Sequence, residues 1–276
     1  MDRYRETNQE LWDGWAEINH RAQSYRTDEF KAGASKLHPI ELEEVGDVRG
    51  KSLLHLQCHF GLDTLSWSRL GATVTGVDFS PKGIGIAQSL SQELGIPAEF
   101  ICCDLYALPD HLNRQFDIVY TSYGVLCWLP DLKAWANLIA RYLKPGGRFH
   151  IVEFHPFLYA FEPEKSEHRL QPVLSYFPLE EPQRWEEHGS YADRTADFRH
   201  ESYIWPHSIA EILNSLIAAG LRIDQFNEFA YCVDDFLPGF MHEGTDGWWR
   251  LNQYPDSMPL MFSLRATKTE CNRPTA

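Results

Sequence analysis

Ser52-Leu53-Leu54-His55-Leu56-Gln57-Cys58-His59-Phe60-Gly61 runs from a short, mostly apolar stretch into a turn that ends on glycine. A run of that length bounded by a turn reads as a buried strand over residues 52–57. Leu62, Leu65 and Leu70 then follow at helical spacing until Gly71 stops them. Thr73-Val74-Thr75-Gly76-Val77-Asp78 is the next strand. Ser80-Pro81 opens a second helix, with proline at the first helical position, and Gly95 closes it. Strand, helix, strand, helix is the pattern of βαβ units and a parallel sheet.

The alternation continues through Glu99–Cys103 and Phe116–Thr121, both read as strands. Asp131 caps a helix with Leu132, Trp135, Leu138, Ile139 and Tyr142 on one face. Lys144-Pro145-Gly146-Gly147 suits a type II turn. Arg148–Phe154 is the fifth strand. Residues 157–206 break the pattern, being rich in proline, glutamate and aromatics. Within them, 189–192 and 199–205 read as antiparallel strands of an insertion, either a cap over the open end of the sheet or a dimer contact. Ser208-Ile209-Ala210-Glu211 is a capping-box sequence and opens a last helix that ends at Gly220. Leu221–Phe229 and Pro259–Thr267 read as two final strands that pair antiparallel.

Composition narrows the function classes. The 276 residues are 43% hydrophobic, enough to fill a sizeable core. A formal net charge of −14 disfavours nucleic acid, anionic membranes and large acidic substrates. Cys58, Cys102, Cys103, Cys127, Cys232 and Cys271 lack the spacing of a metal site or a disulfide scaffold; most read as small buried hydrophobes in a reducing compartment. The N-terminal stretch has no apolar signal-peptide core, and no apolar run is long enough to span a bilayer. A cytoplasmic protein is expected.

From Leu53 to Pro156, in order and spacing, the chain resembles the class I S-adenosylmethionine-dependent methyltransferase family. The resemblance implies an α/β, Rossmann-like, seven-stranded, mostly parallel sheet with an antiparallel last strand and helices on both faces. It implies S-adenosyl-L-methionine as cofactor and S-adenosyl-L-homocysteine as its product. The loop Gln57-Cys58-His59-Phe60-Gly61 stands where the family has a glycine-rich turn, with Gly61 alone kept of three glycines and His55 where an acidic residue is usual. Gln57, Cys58 and His59 must then hold angles that glycine adopts more easily.

The resemblance gives Asp78, followed by Phe79, the ribose hydroxyls, and Asp104-Leu105 the adenine. Each aspartate also reads as a helix cap. Thr121 and Ser122 are candidate cofactor contacts, and Tyr123, Tyr203 and Trp205 candidate walls of a substrate pocket. Leu11-Trp12-Asp13-Gly14-Trp15 and Tyr25–Phe30 resemble a leading helix and lid.

The expected organisation is therefore a lid segment (1–50), a cofactor-binding core (51–156), the insertion (157–206) and a C-terminal completion (207–276). The expected reaction is in-line methyl transfer to a small molecule. It needs mainly alignment, and a general base only for a protonated acceptor. Glu153 and His155, at the end of the fifth strand, are candidates for that base, with His207 further on. No metal is expected. A non-catalytic cofactor binder and a nicotinamide-dependent oxidoreductase are the rival readings, and the second would want a Gly-x-Gly-x-x-Gly turn that the chain lacks.

Overall fold

Seven strands build one sheet: β1 (Ser52–Leu56), β2 (Thr73–Asp78), β3 (Glu99–Cys102), β4 (Phe116–Ser122), β5 (Leu143–Phe154), β6 (Leu221–Phe229) and β7 (Met261–Lys268). These come from a computed structural model that describes residues 2–164, 169–253 and 255–269. Cys271 lies outside them. The spatial order is β6-β7-β5-β4-β1-β2-β3. β7 runs antiparallel to both of its neighbours, and the other pairs are parallel. Strand order reverses between β1 and β4. In open α/β sheets, ligands bind at the carboxyl ends of the strands beside such a reversal.

Four crossover helices cover the faces: α4 (Leu62–Arg69), α5 (Pro81–Leu94), α6 (Leu132–Tyr142) and α7 (Ile209–Ala218). Three of them start where the sequence predicts. Ser80 Oγ accepts from the Gly83 N–H, Asp131 from Lys133 and Ala134, and Ser208 from Glu211. The box at Ser208 is half-made, because Glu211 turns its carboxylate to His207 Nδ1 at 2.9 Å. The central strands are buried on both faces. Leu53, Leu54, Leu56, Ile118, Val119, Phe149 and Ile151 are at most 1% exposed, which is why they read as unbroken apolar runs.

Strand β5 begins five residues earlier than predicted and contains the Lys144–Gly147 turn, with Gly146 at φ 75°. Its pairing with β4 shifts register between Phe116 and Ile118, which accommodates the turn.

The insertion departs from prediction. Its second strand is Arg199–Ile204, but the partner is Gln183–His188, not 189–192. Residues 189–192 form the turn that follows, with Gly189 at φ 69° and its amide bonded to Phe198 O at 2.8 Å. The hairpin packs on α1 (Arg3–Arg21). Asn8 makes a two-way bond with the backbone of Tyr203, donating to its carbonyl at 2.7 Å and accepting from its N–H at 2.8 Å. Trp15 Nε1 donates to Gly189 O at 2.8 Å. A second hairpin, Met241–Glu243 with Trp249–Leu251, fills the stretch between β6 and β7 that reads as loop. Two short helices, α2 (Thr27–Lys31) and α3 (Pro39–Val45), join α1 to β1.

Candidate active site

A cavity of about 710 Å³ opens at the carboxyl ends of β1, β2, β3 and β4. It is within the range of small-molecule sites. Gln57, Cys58, His59, Gly61, Asp78, Phe79, Asp104, Leu105, Ser122 and Tyr123 line it. Thr121 does not: its hydroxyl is buried against Leu56 O at 3.0 Å. Tyr203 and Trp205 are also absent from the lining. Tyr203 packs tilted against Tyr4, with ring centres 4.8 Å apart, and the Trp205 backbone N–H bonds Cys127 O. The insertion reaches the cavity through Tyr191 and Ala192 instead.

The first turn holds the strain its sequence demands. Gln57 has φ 56° and His59 φ 51°, beside Gly61 at φ 80°. Left-handed backbone costs a non-glycine residue about 1–2 kcal/mol. Two anchors hold the turn. The Cys58 N–H bonds Val77 O at 2.9 Å, and the His59 N–H bonds Asp78 Oδ2 at 2.8 Å. Glycine is required at Gly61 because an added Cβ would lie 2.9 Å from Ala87 and Phe100.

Each of the two aspartates makes a local backbone bond and also lines the cavity. Asp78 Oδ1 accepts from the Ser80 N–H at 2.9 Å, and Asp104 Oδ1 accepts from Tyr106 at 2.9 Å. Asp104 is the cap of the short turn that follows it, whereas Asp78 is not the helix cap, a place Ser80 takes, and bonds the Ser80 amide instead; both line the cavity. Each carboxylate oxygen accepts more than one bond, so such a bond does not exhaust it. Asp104 also pairs with Arg5 at 3.0 and 3.2 Å, which ties α1 across the mouth. Gln9 and Asp13 extend that strap: Gln9 donates to Phe79 O, and Asp13 accepts from Ser80 and Lys82.

Glu153 and His155 are committed elsewhere. Glu153 is 2% exposed and accepts from four backbone N–H groups: Gly124, Val125 at 2.8 Å, Leu126 at 3.1 Å and Phe154 at 2.7 Å. His155 Nδ1 accepts from Phe157 at 3.1 Å, and its Nε2 meets Glu228 at 3.0 Å. His207 is spent on Glu211 and on Leu129 O at 2.8 Å. None of the three lines the cavity. A carboxylate at a strand's carboxyl end looks like chemistry in sequence. Here it neutralises the amides of the strained turn Tyr123-Gly124, at φ 41° and 73°.

Several site residues have no signature in the sequence. Asp63, in the first turn of α4, accepts from Ser122 Oγ at 3.1 Å, and burial pushes its carboxyl up to about 6 while Lys36 opposes the shift. Burial pushes His38 down to about 4 and His55 to about 3, so both imidazoles are neutral at pH 7. Gln57 Oε1, His59 Nδ1, His55 Nε2 and the Tyr123 hydroxyl are buried with no hydrogen-bond partner within bonding distance among the described residues. All four residues line the cavity. Orphaned polar atoms of this kind call for a polar ligand or water.

Glu41, on α3 behind Tyr123, is fully buried and forms no ion pair among the described residues; burial raises its carboxyl to about 8. A raised folded-state pKa contributes stability below the unfolded value, near 4.5, that is lost as pH rises through about 8. Glu41→Gln is therefore expected to raise the urea midpoint near about pH 9 and leave it almost unchanged near about pH 5.

Residues 54–151 match the family model described as a methyltransferase domain. The chain carries the fold of a class I S-adenosylmethionine-dependent methyltransferase. Among relatives of this methyltransferase fold, the ubiquinone biosynthesis O-methyltransferase of Pseudomonas fluorescens (strain Pf0-1) is 30% identical over 141 residues, 49% of this chain and 60% of that protein. The chain thus spans less than two thirds of the length of such relatives. An S-adenosylmethionine-dependent methyltransferase from Mesorhizobium loti superposes with TM-score 0.57 at 20% identity, covering 86% of this chain and 99% of that one. The glycopeptide N-methyltransferase MtfA, complexed with sinefungin, gives TM-score 0.54 at 17% identity over 85% and 87%. Among the described residues, no helix of this methyltransferase fold is long and apolar enough to cross a membrane.

Proposed function

We propose that this protein transfers the methyl group of S-adenosylmethionine to a small molecule held beyond Tyr123. The observation that carries the reading is one continuous cavity from Asp78 and Asp104, past Ser122, to Tyr123 and Trp248.

The bound cofactor supplies an electrophilic methyl carbon and a neutral thioether leaving group. The protein's residues then have separable tasks. Asp78 offers acceptor oxygens to the ribose hydroxyls, and Asp104 with Leu105 serves the adenine. Asp63 and Lys36 present opposite charges to an amino-acid tail. Trp12, Trp128 and Tyr191 close the roof: Trp12 stands edge-on to Trp128 at 5.4 Å and near Tyr191 at 6.1 Å. Such a roof excludes water and holds the reactants, and positioning contributes up to about 7–11 kcal/mol to such reactions.

Asp63 and Asp78 both carry carboxyls that burial pushes up to about 6. Their ionised forms are the better partners for an ammonium and for hydroxyl donors. Cofactor affinity is expected to be full above about pH 7 and to fall as pH drops through 6, when calorimetric titrations at the two extremes are compared.

Activity is tested by incubating the protein with S-adenosylmethionine and a panel of amines, phenols and thiols and measuring S-adenosylhomocysteine release. Acceptor-dependent release supports the reading. Tight cofactor binding with no release on any acceptor favours a binder that does not catalyse.

A further inference from the structure

The far end of the cavity has a definite chemical character. Its wall is a belt of rings running Phe154, Tyr123, His38, Trp248, with neighbouring centres at 6.2, 5.7 and 5.3 Å. Its charges are negative. Asp234, Glu243 and Asp246 line it together with Trp248 and Trp249. Asp246 is neutralised by a two-pronged pair with Arg250 at 2.9 and 2.7 Å. Asp234 and Glu243 form no ion pair among the described residues. Arg194 approaches Asp234, but its guanidinium donates to Asp235 O at 2.9 Å.

The cations that line the rest of the cavity are Arg5, Arg26 and Lys36. Arg5 is held by Asp104, and Lys36 acts on Asp63. His38 adds no charge, being neutral at pH 7. Below the belt, the buried Tyr123 hydroxyl faces the buried Glu41 carboxyl.

Aromatic faces attract cations through the ring quadrupole, most strongly where water is excluded. A carboxylate without a counter-ion at the same place adds a like preference and repels anions. We propose that the acceptor is an amine that binds as an organic ammonium, set against the Tyr123–His38–Trp248 belt and the Asp234 and Glu243 carboxylates. This rests on the methyltransferase reading and names its substrate class. For transfer, the ammonium gives one proton to the Asp234 carboxylate. The nitrogen lone pair then forms the new N–C bond as the S–CH3 bond breaks, leaving a neutral thioether and a methylated ammonium that carries the positive charge the sulfur gives up.

The test uses the full chain saturated with S-adenosylhomocysteine, whose own binding is measured first. Benzylamine, benzyl alcohol and benzoate are then titrated calorimetrically at neutral pH. Benzylamine is expected to bind about tenfold more tightly than benzyl alcohol, with no saturable heat from benzoate. Asp234→Asn is expected to weaken benzylamine about tenfold with benzyl alcohol changed less than about twofold, and Trp248→Ala to weaken both, benzylamine by about tenfold more than benzyl alcohol. Equal or tighter binding of benzyl alcohol or benzoate overturns the proposal, as does the absence of saturable binding by all three. If S-adenosylhomocysteine itself fails to bind, the methyltransferase reading falls first and this inference with it.

Discussion

Glu153→Ala is expected to destabilise the protein by about 3–5 kcal/mol, since it leaves four buried amide donors without an acceptor at about 1–3 kcal/mol apiece before any rehydration. The donors belong to Gly124, Val125, Leu126 and Phe154. Three of them form the turn after β4, where Tyr123 and Gly124 both have positive φ. Left-handed backbone at a tyrosine persists only where the surroundings fix it. Glu153→Gln is expected to lose most of the same stability, because its amide NH2 faces donors rather than acceptors. Denaturant unfolding measures both. A variant that unfolds at the wild-type midpoint yet loses turnover would instead make Glu153 a participant in the reaction. Loss of turnover in step with loss of folding is the expected pattern.

Asp78→Ala is expected to weaken S-adenosylhomocysteine about a hundredfold, or about 2.7 kcal/mol. The carboxylate has two tasks that the variant removes together. It anchors the His59 and Ser80 amides at 2.8 and 2.9 Å, so the strained first turn loosens. It also presents acceptor oxygens inside the hollow. Asp78→Asn separates the tasks, because its carbonyl keeps one amide while the charge is lost. Its NH2 faces one of the two amide donors, so it is expected to lose part of the stability that Asp78→Ala loses and still bind weakly. Calorimetry well below each variant's unfolding temperature reads the affinities. Affinity within about threefold of wild type in Asp78→Ala would remove Asp78 from the binding site.

What the sequence shows and hides follows from burial. Strands β1, β2, β4 and β5 are legible because most of their residues are enclosed and leave apolar runs, while the edge strand β3, half-buried or exposed throughout, is legible from its place in the alternation. Gln183–His188 is hidden because only one of its faces is covered and its residues alternate between half-buried and exposed, with Trp185 its one large apolar side chain. The Met241–Glu243 and Trp249–Leu251 strands are three residues each, too short for any period to register.

The site divides in the same way. Asp78 and Asp104 end strands and stand out by position. Lys36, His38, Glu41 and Asp63 reach the same region from two helices and a loop, so only the folded chain brings them together. Proline opens α3, the helix that carries Glu41. Tyr203 was misread because an aromatic in a strand near the sheet's mouth suits a pocket wall as well as it suits packing. Its role is to present its backbone to Asn8 and so hold the strap helix α1 in place.

A calorimetric titration of S-adenosylhomocysteine into the wild-type protein, with NADH as the control, tests the account most directly. Saturable one-to-one binding with a Kd in the micromolar range, about −8 kcal/mol or better, is expected, with no heat from NADH. No binding of S-adenosylhomocysteine, or tighter binding of NADH, would contradict it.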